Sequence, residues 1–420
     1  MKVIRLGIAG LGTVAQGVLE ILHHNHKKIA DRSGFELQVV RVASRTAKPD
    51  VDLLGAEFTT DLGALIADDV DVVVELIGGE GRAKTLIEEA LAAGKGVATA
   101  NKAVIANYGA ELFASNAVTP LKFEAAVAGA IPIIQAIQQG LVANDFYRLV
   151  GIINGTCNYI LTAMQEEGTQ FTDALATAQA LGYAEADPSF DVDGIDAGHK
   201  LAILAGLGFD GSVDFSELHV EGITGVTGQD IRYAKELGFC IKHVGIAKAG
   251  DDNGIEARVH PALIPENTLF ANVAGVTNAV LVDSDAAGQT LFSGPGAGGS
   301  ATASAVVADV VALGQTDRIG GNGNRPKLSL LPIAEVVCEN YLRIPVRDQP
   351  GVFADVASAL SNHGISIEAA IQKGATDEVV SIVILTGSCV DHELTQAMAE
   401  VSELTQIAGE IARIRVENLG

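Results

Sequence analysis

The 420-residue chain contains no tryptophan, and only 5% of its residues are aromatic. Its four cysteines stand singly in the sequence, without the spacing of a metal site or of a disulfide framework. They indicate reduced thiols, so we expect a cytoplasmic protein. No apolar run approaches the roughly 18 residues that a membrane-spanning helix needs.

Positive charge is also scarce. The 28 lysines and arginines face 52 aspartates and glutamates, which leaves a formal net charge of −24 at pH 7. This balance argues against nucleic acids and anionic membranes as partners. With 48% hydrophobic and 19% charged residues the composition is that of a globular protein, and at roughly 150 residues per domain the length predicts about three domains.

The first part of the chain alternates strands with helices. The predicted strands are "VIRLGIAG", "ELQVVRVA", "VDVVVELIG" and "GVATANK". Near-continuous runs of valine and isoleucine are typical of strands that are buried on both faces, as in a parallel sheet with crossover helices. We therefore predict an α/β class and a Rossmann-type, doubly wound dinucleotide-binding domain over residues 1–132.

The pattern changes after about residue 130. Segments such as "NGIEARVHPALI" and "AGVTNAVLV" predict an α+β domain with a mixed sheet, over residues 133–295, and "GQTDRIGGNGNRPK" (314–327) has the composition of a linker. From Tyr341 the predicted order is β-α-β-β-α-β, which is the ferredoxin-like arrangement, over residues 341–420.

A glycine-rich turn, "GIAGLGTVAQG", follows the first strand. Gly10, Gly12 and Ala15 fit the dinucleotide-binding pattern G-x-G-x-x-G/A, in which the backbone and a helix N-terminus receive a pyrophosphate; a purely structural turn is the alternative. Arg45 follows the second strand, where NAD sites usually have an acid. Because a cation fits a 2′-phosphate, we predict NADP, with NAD as a second candidate; an ordinary surface arginine is the alternative.

Residues 182–200, "GYAEADPSFDVDGIDAGHK", gather acids around one lysine. The acids are Glu185, Asp187, Asp191, Asp193 and Asp196, and the lysine is Lys200. A solvated loop is the simple interpretation, but the apolar run "LAILAGLGF" that follows predicts a buried helix. Asp196 and Lys200 are four residues apart and would share one face of that helix, so we expect the cluster to be anchored to a core.

Several long motifs occur together and in the same order as in a known family. They are "GLGTVAQGV", "ELIGG", "ATANKAVIA", "FEAAVAGAIPII", "INGTCNYILT", "GYAEADPSFDVDGIDAGHKLAIL" and "GAGGSATASAVVADV". Nearly the whole chain resembles homoserine dehydrogenase, and residues 341–420 resemble the ACT regulatory domain. One departure is Ala15, where members of the family often have glycine.

The resemblance implies the reduction of L-aspartate 4-semialdehyde to L-homoserine with NAD(P)H, in the biosynthesis of threonine, methionine and isoleucine. It implies that Lys200 donates the proton and that Lys102, which closes a predicted parallel strand, positions the nicotinamide and the substrate oxygen; for Lys102 a surface cap is the alternative. It assigns substrate contacts to Thr156, Glu185, Asp191 and Asp196, and Asp187 and Asp193 are predicted to be loop acids.

The resemblance also implies a set of cofactor contacts and a bound cation. The cofactor contacts are Gly10, Gly12, Thr13, Val14, Arg45, Lys102, Gly182 and Gly298. A monovalent cation, Na⁺ or K⁺, would be held by Glu124 with main-chain oxygens of Val127, Gly129 and Ile131. Residues 296–320 would complete the first domain, threonine would be the effector, and the chain would form a homodimer or homotetramer.

Two other functions use the same residues differently. An acylating aldehyde dehydrogenase would use Cys157 as nucleophile with His199 as base, but the apolar neighbours of Cys157 favour a buried thiol. A non-catalytic amino-acid sensor would keep the C-terminal domain and lose the catalytic lysines. Because Lys102 and Lys200 are both present, an enzyme is favoured.

Overall fold

The computed structural model describes residues 1–115, 120–250, 254–315, 326–373 and 379–419. They form two compact units: Met1–Leu149, His199–Leu218 and Asn278–Ser329 in the first, and Val150–Gly198, His219–Thr277 and Leu330–Gly420 in the second. Within the described ranges no helix has the length and apolarity to cross a membrane. Most of the predicted linker lies outside the described residues. So does the end of the segment 296–320, which was predicted to complete the first domain.

The strands are β1 (Lys2–Ala9), β2 (Phe35–Ala43), β3 (Glu57–Thr59), β4 (Val72–Glu75), β5 (Gly96–Thr99), β6 (Leu121–Lys122), β7 (Phe146–Ile152), β8 (His219–Val220), β9 (Phe239–Ala249), β10 (Gly254–Pro265), β11 (Thr277–Ser284), β12 (Gly288–Pro295), β13 (Ser329–Leu330), β14 (Val337–Cys338), β15 (Asn340–Arg347), β16 (Ile367–Lys373), β17 (Val379–Thr386), β18 (Cys389–Val390) and β19 (Ala412–Val416).

The helices are α1 (Thr13–Ser33), α2 (Gly81–Ala92), α3 (Lys102–Ser115), α4 (Ile133–Gln135), α5 (Gly155–Glu167), α6 (Phe171–Ala180), α7 (Ser189–Val192), α8 (Ile195–Gly208), α9 (Gly228–Glu236), α10 (Gly299–Gln315), α11 (Val352–Asn362) and α12 (Asp391–Ser402).

A six-stranded parallel sheet organises the first unit. Its strand order is β3-β2-β1-β4-β5-β6, and each neighbouring pair is parallel. The apolar runs that predicted parallel strands are buried on both faces, as β4 shows with all four residues buried. The order confirms the predicted Rossmann-type, doubly wound fold.

Helices α1 and α10 share one core with this sheet. The core cluster contains Val18 and Leu22 of α1 and Val306 and Val310 of α10 beside residues of β1, β2 and β4. At Gly17 an added Cβ would lie 3.0 Å from the Cβ of Ala303, so the two helices approach through a glycine. The helix predicted to return to the first domain therefore lies in its core.

The second unit contains the predicted β-α-β-β-α-β module. It is formed by β15, α11, β16, β17, α12 and β19, and the two helices pack on its sheet through Val352, Leu360, Leu394 and Val401. The observed order of secondary structure confirms the predicted ferredoxin-like fold.

One feature of this module has no signal in the sequence. Strand β19 pairs in parallel with β10, with Ala262 opposite Arg415 and Leu263 opposite Val416. The strands β9-β10-β19-β15-β17-β16 are therefore neighbours in one sheet, so the C-terminal module is joined to the rest of the second unit by main-chain hydrogen bonds.

Candidate active site

The turn between β1 and α1 has the geometry of a dinucleotide site. Gly10 has φ of 103°, and an added Cβ would lie 2.6 Å from the carbonyl oxygen of Leu76, so only glycine fits. Gly12 is the N-cap of α1 and offers no side chain to the first-turn amides, and an added Cβ there would meet nothing within 4 Å. The amides of Thr13 and Val14 thus begin a helix whose N-terminus suits a pyrophosphate.

A second glycine turn lies beside the first. Gly298 has φ of 115° and open space around its Cα, and it precedes α10. At Gly299 an added Cβ would lie 2.8 Å from the Cγ2 atom of Thr13. Two segments that are almost 300 residues apart in the sequence therefore meet at the start of α1, and both could contact a cofactor there.

Two further candidate cofactor residues, Arg45 and Gly182, lie on the surface. Arg45 is exposed and lies two residues beyond the carboxyl end of β2, on the loop that follows this strand. Gly182 is exposed with φ of 76°, and it belongs to the second unit, between α6 and α7. An exposed cation at the position of Arg45 is accessible to a ribose phosphate.

The ends of β4 and β5 are joined by a buried acid that the sequence analysis did not single out. Glu75, fully buried, accepts hydrogen bonds from the Oγ1 of Thr99 at 2.5 Å and from the N–H of Ile77 at 2.9 Å. Burial raises the pKa of Glu75, and the bonds from Thr99 and the backbone counter part of that rise. Asn101 extends the connection through its Nδ2, which lies 2.6 Å from the carbonyl oxygen of Gly79.

Lys102 comes directly after Asn101 in the chain. It was predicted to close a strand, but β5 ends at Thr99 and Lys102 is the first residue of α3. The reason is that the side chain of Asn101 accepts the N–H of Val104 at 3.2 Å, which starts a helix. Lys102 is half-buried at the carboxyl end of the parallel strands, the edge at which open α/β sheets bind ligands.

The loop proposed for a cation reverses direction through two left-handed residues, Ala128 (φ 57°) and Gly129 (φ 55°). An added Cβ at Gly129 would lie 2.5 Å from the carbonyl oxygen of Gly296, so the loop packs against the second glycine turn. A left-handed alanine is uncommon and costs free energy, and such strain often marks a functional segment. The described residues contain no group of three or more His, Cys, Asp or Glu that could hold a metal ion.

Glu124 is hydrogen-bonded to the backbone that follows this loop. Its two carboxylate oxygens accept the N–H groups of Ile134 and Gln135, each at 2.8 Å. Its own N–H donates to the Oδ2 of Asp309 at 2.8 Å. Burial raises the pKa of both acids, and for Asp309 the charge of Glu124 adds to the rise. The carboxylate of Glu124 is thus engaged with the start of α4.

The acid cluster in the second unit is held by an asparagine. Asn154 donates from its Nδ2 to the Oδ1 of Asp191 at 2.7 Å and to the Oδ2 of Asp196 at 2.8 Å. The hydroxyl of Thr156 lies 2.7 Å from the carbonyl oxygen of Tyr183 and 3.2 Å from the Oδ2 of Asp191. Three of the four predicted substrate residues therefore belong to one hydrogen-bonded cluster.

The remaining acids of the segment lie outside this cluster. Glu185 and Asp193 are exposed, and exposed Asp187 accepts the N–H and the hydroxyl of Ser189 in a turn, which lowers its pKa. Asp196 and Lys200 both lie on α8, and they are 3% and 9% exposed, respectively. The predicted anchoring of the cluster to a buried helix is correct, since α8 continues into the apolar run 201–207.

Cys157 has the environment of a structural thiol. Its side chain is fully buried, and its Sγ lies 3.2 Å from the carbonyl oxygen of Asp191. His199, proposed as its base in the aldehyde dehydrogenase alternative, packs edge-on against Phe215 at 4.2 Å between ring centroids. A nucleophile must reach its substrate, so this environment disfavours the cysteine mechanism.

The parallel sheet with its glycine turns is that of a dinucleotide-binding protein, and the chain adds a C-terminal ferredoxin-like module.

Comparisons with known proteins identify the family. The family models "Homoserine dehydrogenase, NAD binding domain", "Homoserine dehydrogenase" and "ACT domain" match residues 10–124, 132–311 and 340–404. A homoserine dehydrogenase of Pseudomonas aeruginosa is 45% identical over 434 aligned positions, which cover 100% of both chains. The chain belongs to the homoserine dehydrogenase family and carries an ACT domain.

Solved structures agree with this assignment. The crystal structure of a homoserine dehydrogenase from Thiobacillus denitrificans is 45% identical, with a TM-score of 0.94, and the match covers 100% of this chain and 99% of that chain. A hyperthermophilic archaeal homoserine dehydrogenase in complex with NADPH is 27% identical, with a TM-score of 0.62, over 74% of this chain and 98% of that chain.

Proposed function

We propose that the chain catalyses the NAD(P)H-dependent reduction of L-aspartate 4-semialdehyde to L-homoserine, within the biosynthesis of threonine, methionine and isoleucine. One observation carries this proposal: α8 bears both Lys200 and an aspartate, Asp196, that Asn154 ties to Asp191. An amino-acid aldehyde needs this combination, because its ammonium group requires carboxylates and its reacting oxygen requires a proton donor.

In the proposed reaction a bound nicotinamide supplies hydride to the aldehyde carbon. Lys200 donates a proton to the aldehyde oxygen as that oxygen becomes an alkoxide. The proton neutralises the negative charge that develops on the oxygen. Lys102, at the carboxyl end of β5, donates to the same oxygen and orients it. Neither lysine needs to form a covalent bond to the substrate.

We assign the substrate ammonium to the carboxylates of Asp191 and Asp196, with Thr156 supporting Asp191 and exposed Glu185 as a further substrate contact. Asp196 is 3% exposed, and a buried carboxylate gains most from a cationic partner. The charge of the ammonium thereby selects amino acids over simple aldehydes.

For the cofactor we propose NADP(H), with NAD(H) as the weaker alternative. The start of α1 and the turn at Gly298 would receive the pyrophosphate and the nicotinamide half, and exposed Arg45 would pair with the 2′-phosphate. The archaeal relative is described in complex with NADPH, which supports the same choice. Gly182 is a further proposed cofactor contact.

We propose that the loop 124–131 takes a monovalent cation, held by Glu124 with main-chain oxygens of Val127, Gly129 and Ile131. The left-handed turn at Ala128 and Gly129 supports this assignment, because it interrupts regular backbone geometry in a loop where main-chain oxygens would be the ligands. A cation here would have a structural role, since the loop packs on the second glycine turn.

The ACT domain is the proposed site of feedback inhibition by threonine. Helix α11 begins at Val352 behind Gly351, which has φ of 94° and no side-chain cap, so its first-turn amides suit the carboxylate of an amino acid. Asp348, on the loop before it, would accept the ammonium group. Asn362, the last residue of α11, donates to the Oε1 of Glu400 at 3.0 Å.

Feedback is best tested on the full chain. Arg415 of β19 donates to the Oε1 of Glu221 at 2.7 Å, and buried Arg258 of β10 pairs with Glu417. Removing the ACT domain would leave Arg258, which is 1% exposed, without that carboxylate, and breaking a buried ion pair destabilises a protein strongly. The fold would be perturbed together with the regulation.

The assembly and compartment remain as predicted from the sequence: a homodimer or homotetramer, in the cytoplasm. All four cysteines are buried thiols outside any disulfide, which suits a reducing environment.

A spectrophotometric assay tests the proposed function directly. NADPH or NADH oxidation is followed at 340 nm with aspartate 4-semialdehyde, with and without threonine. The proposal predicts turnover that is faster with NADPH and is lowered by threonine. Absence of turnover with either cofactor would contradict it, and inactivation by thiol alkylation under native conditions would favour the cysteine mechanism instead.

A further inference from the structure

Every polar atom of the Asn154 side chain has a partner. Its Oδ1 accepts the N–H of Cys157 at 2.8 Å, which makes Asn154 the N-cap of α5. Its Nδ2 donates to Asp191 at 2.7 Å and to Asp196 at 2.8 Å. The residue is 3% exposed. An asparagine side chain has two N–H donors and one carbonyl acceptor, so this environment uses each of them.

The amide also sets the separation between the two carboxylates. The two N–H bonds of an amide diverge by about 120°, so oxygens at these distances lie roughly 5 Å from each other. An ammonium group that donates to two oxygens at about 2.8 Å spans a similar separation. A carboxylate oxygen accepts more than one hydrogen bond, so the oxygens that the amide holds are able to receive an ammonium as well.

The platform that carries Asn154 is rigid. At Gly155 an added Cβ would lie 2.9 Å from the carbonyl oxygen of Val276, so the chain packs closely at the start of α5. Cys157, Ile160 and Leu161 of α5 are buried in the core of the second unit. The turn after α7 is fixed from its other side, since the N–H of Ile223 donates to the carbonyl oxygen of Val192 at 2.8 Å.

We propose that Asn154 is a positioning residue for recognition of the substrate ammonium: its amide holds Asp191 and Asp196 at the spacing that an α-ammonium requires. This inference rests on the proposed function. Without the amide, two neighbouring carboxylates would repel each other and separate, and the ammonium would lose one of its two partners.

The simpler role of Asn154 is to cap α5, and a serine separates the two roles. Serine is as good an N-cap as asparagine, because its Oγ accepts the same N–H, but it cannot donate to two acids. Asn154→Ser should therefore keep the fold and release the acid pair. Asn158→Ser is the matched control: Asn158 lies one turn further along α5, is 1% exposed, and donates from Nδ2 to Val273 and Thr277 instead of to acids.

The test compares two aldehydes that differ only in the ammonium group, aspartate 4-semialdehyde and succinate semialdehyde. For Asn154→Ser we expect KM for aspartate 4-semialdehyde to rise roughly 10- to 100-fold, the range for a lost hydrogen bond to a charged group, with kcat within about threefold. We expect kcat/KM for succinate semialdehyde to change less than about threefold, so that discrimination between the aldehydes falls. NADPH affinity should stay within about twofold, and Asn158→Ser should leave the discrimination unchanged.

Equal losses for both aldehydes in Asn154→Ser would overturn the inference, and so would unchanged kinetics. If Asn154→Ser failed to fold, Asn154→Asp, which keeps the cap and replaces the donors with a third carboxylate, should raise KM at least as much; a normal KM would again overturn it. The wild type separates the two proposals, since lack of turnover there contradicts the reaction itself, whereas wild-type activity with undisturbed variants contradicts only the role of Asn154.

Discussion

Replacing Asp230 should weaken the connection between α9 and the ACT domain. Asp230 is fully buried, and its Oδ1 accepts from the Nε of Arg343 at 2.6 Å and from the hydroxyl of Tyr341 at 3.1 Å, both on β15. Its Oδ2 accepts from the Nη2 of Arg343 at 3.2 Å and from the N–H of Thr227 at 3.1 Å in the capping box of α9. One carboxylate thus joins a helix start to a strand of another domain.

The expected loss follows from these bonds. Breaking a buried ion pair from one side costs about 3–5 kcal/mol, and loss of a capping interaction adds about 1 kcal/mol. The Arg343 side chain is 12% exposed and can recover some hydration, so we expect Asp230→Ala to lower the free energy of unfolding by about 3–4 kcal/mol.

Urea unfolding followed by far-UV circular dichroism measures this change, because the chain lacks tryptophan as a fluorescent reporter. With a slope of about 2–3 kcal/mol/M, the midpoint for the second unit should fall by roughly 1 M or more. Asp173→Ala, which removes an exposed acid from the first turn of α6, is the control and should shift the midpoint very little. Equal, small shifts for the two variants would refute the reasoning.

Two further substitutions test the cofactor site and the sheet edge. Arg45→Ala should weaken NADPH binding by about 1.5–3 kcal/mol, the value for a hydrogen bond to a charged group, and leave NADH unchanged; equal losses in a fluorescence titration would show that Arg45 does not face the 2′-phosphate. Because burial raises the pKa of Glu75, its ionisation opposes folding, and that cost grows as the pH rises above the ordinary pKa of 4.5. Glu75→Gln keeps an acceptor for Ile77 and should therefore gain stability relative to the wild type between pH 5 and pH 8 in thermal unfolding; a relative loss would mean that the charge is needed.

Local patterns in the sequence were enough to predict the cofactor fold. The valine-rich strands and the turn at Gly10 and Gly12 each need only a few neighbouring residues to be interpreted. The same holds for Asp196 and Lys200. They are four residues apart and are followed by an apolar run, which predicted that they share one helix. In each case the structure is determined by residues that are close together in the sequence.

Contacts between distant segments could not be predicted in this way. The pairing of β19 with β10 and the approach of Gly299 to Thr13 depend on tertiary packing. The contacts of Asn154 could not be predicted either, because its two acids lie about forty positions later in the sequence. The hydrogen bonds of Glu124 to the start of α4 could not be predicted either. From the sequence, such an acid could cap a helix or bind a cation.

The most direct test of the proposed reaction is the single-turnover rate of NADPH oxidation by Lys200→Met at saturating aspartate 4-semialdehyde. Methionine fills a similar volume and removes the ammonium group. Lys242→Met is the control for loss of a buried lysine, because Lys242 is 3% exposed and donates to the carbonyl oxygen of Val273 at 2.7 Å. If Lys200 is the proton donor, its replacement should lower the rate by roughly 10² or more, with NADPH affinity within a few-fold and the Lys242 variant near the wild-type rate. A near-normal rate for Lys200→Met would contradict the proposed mechanism.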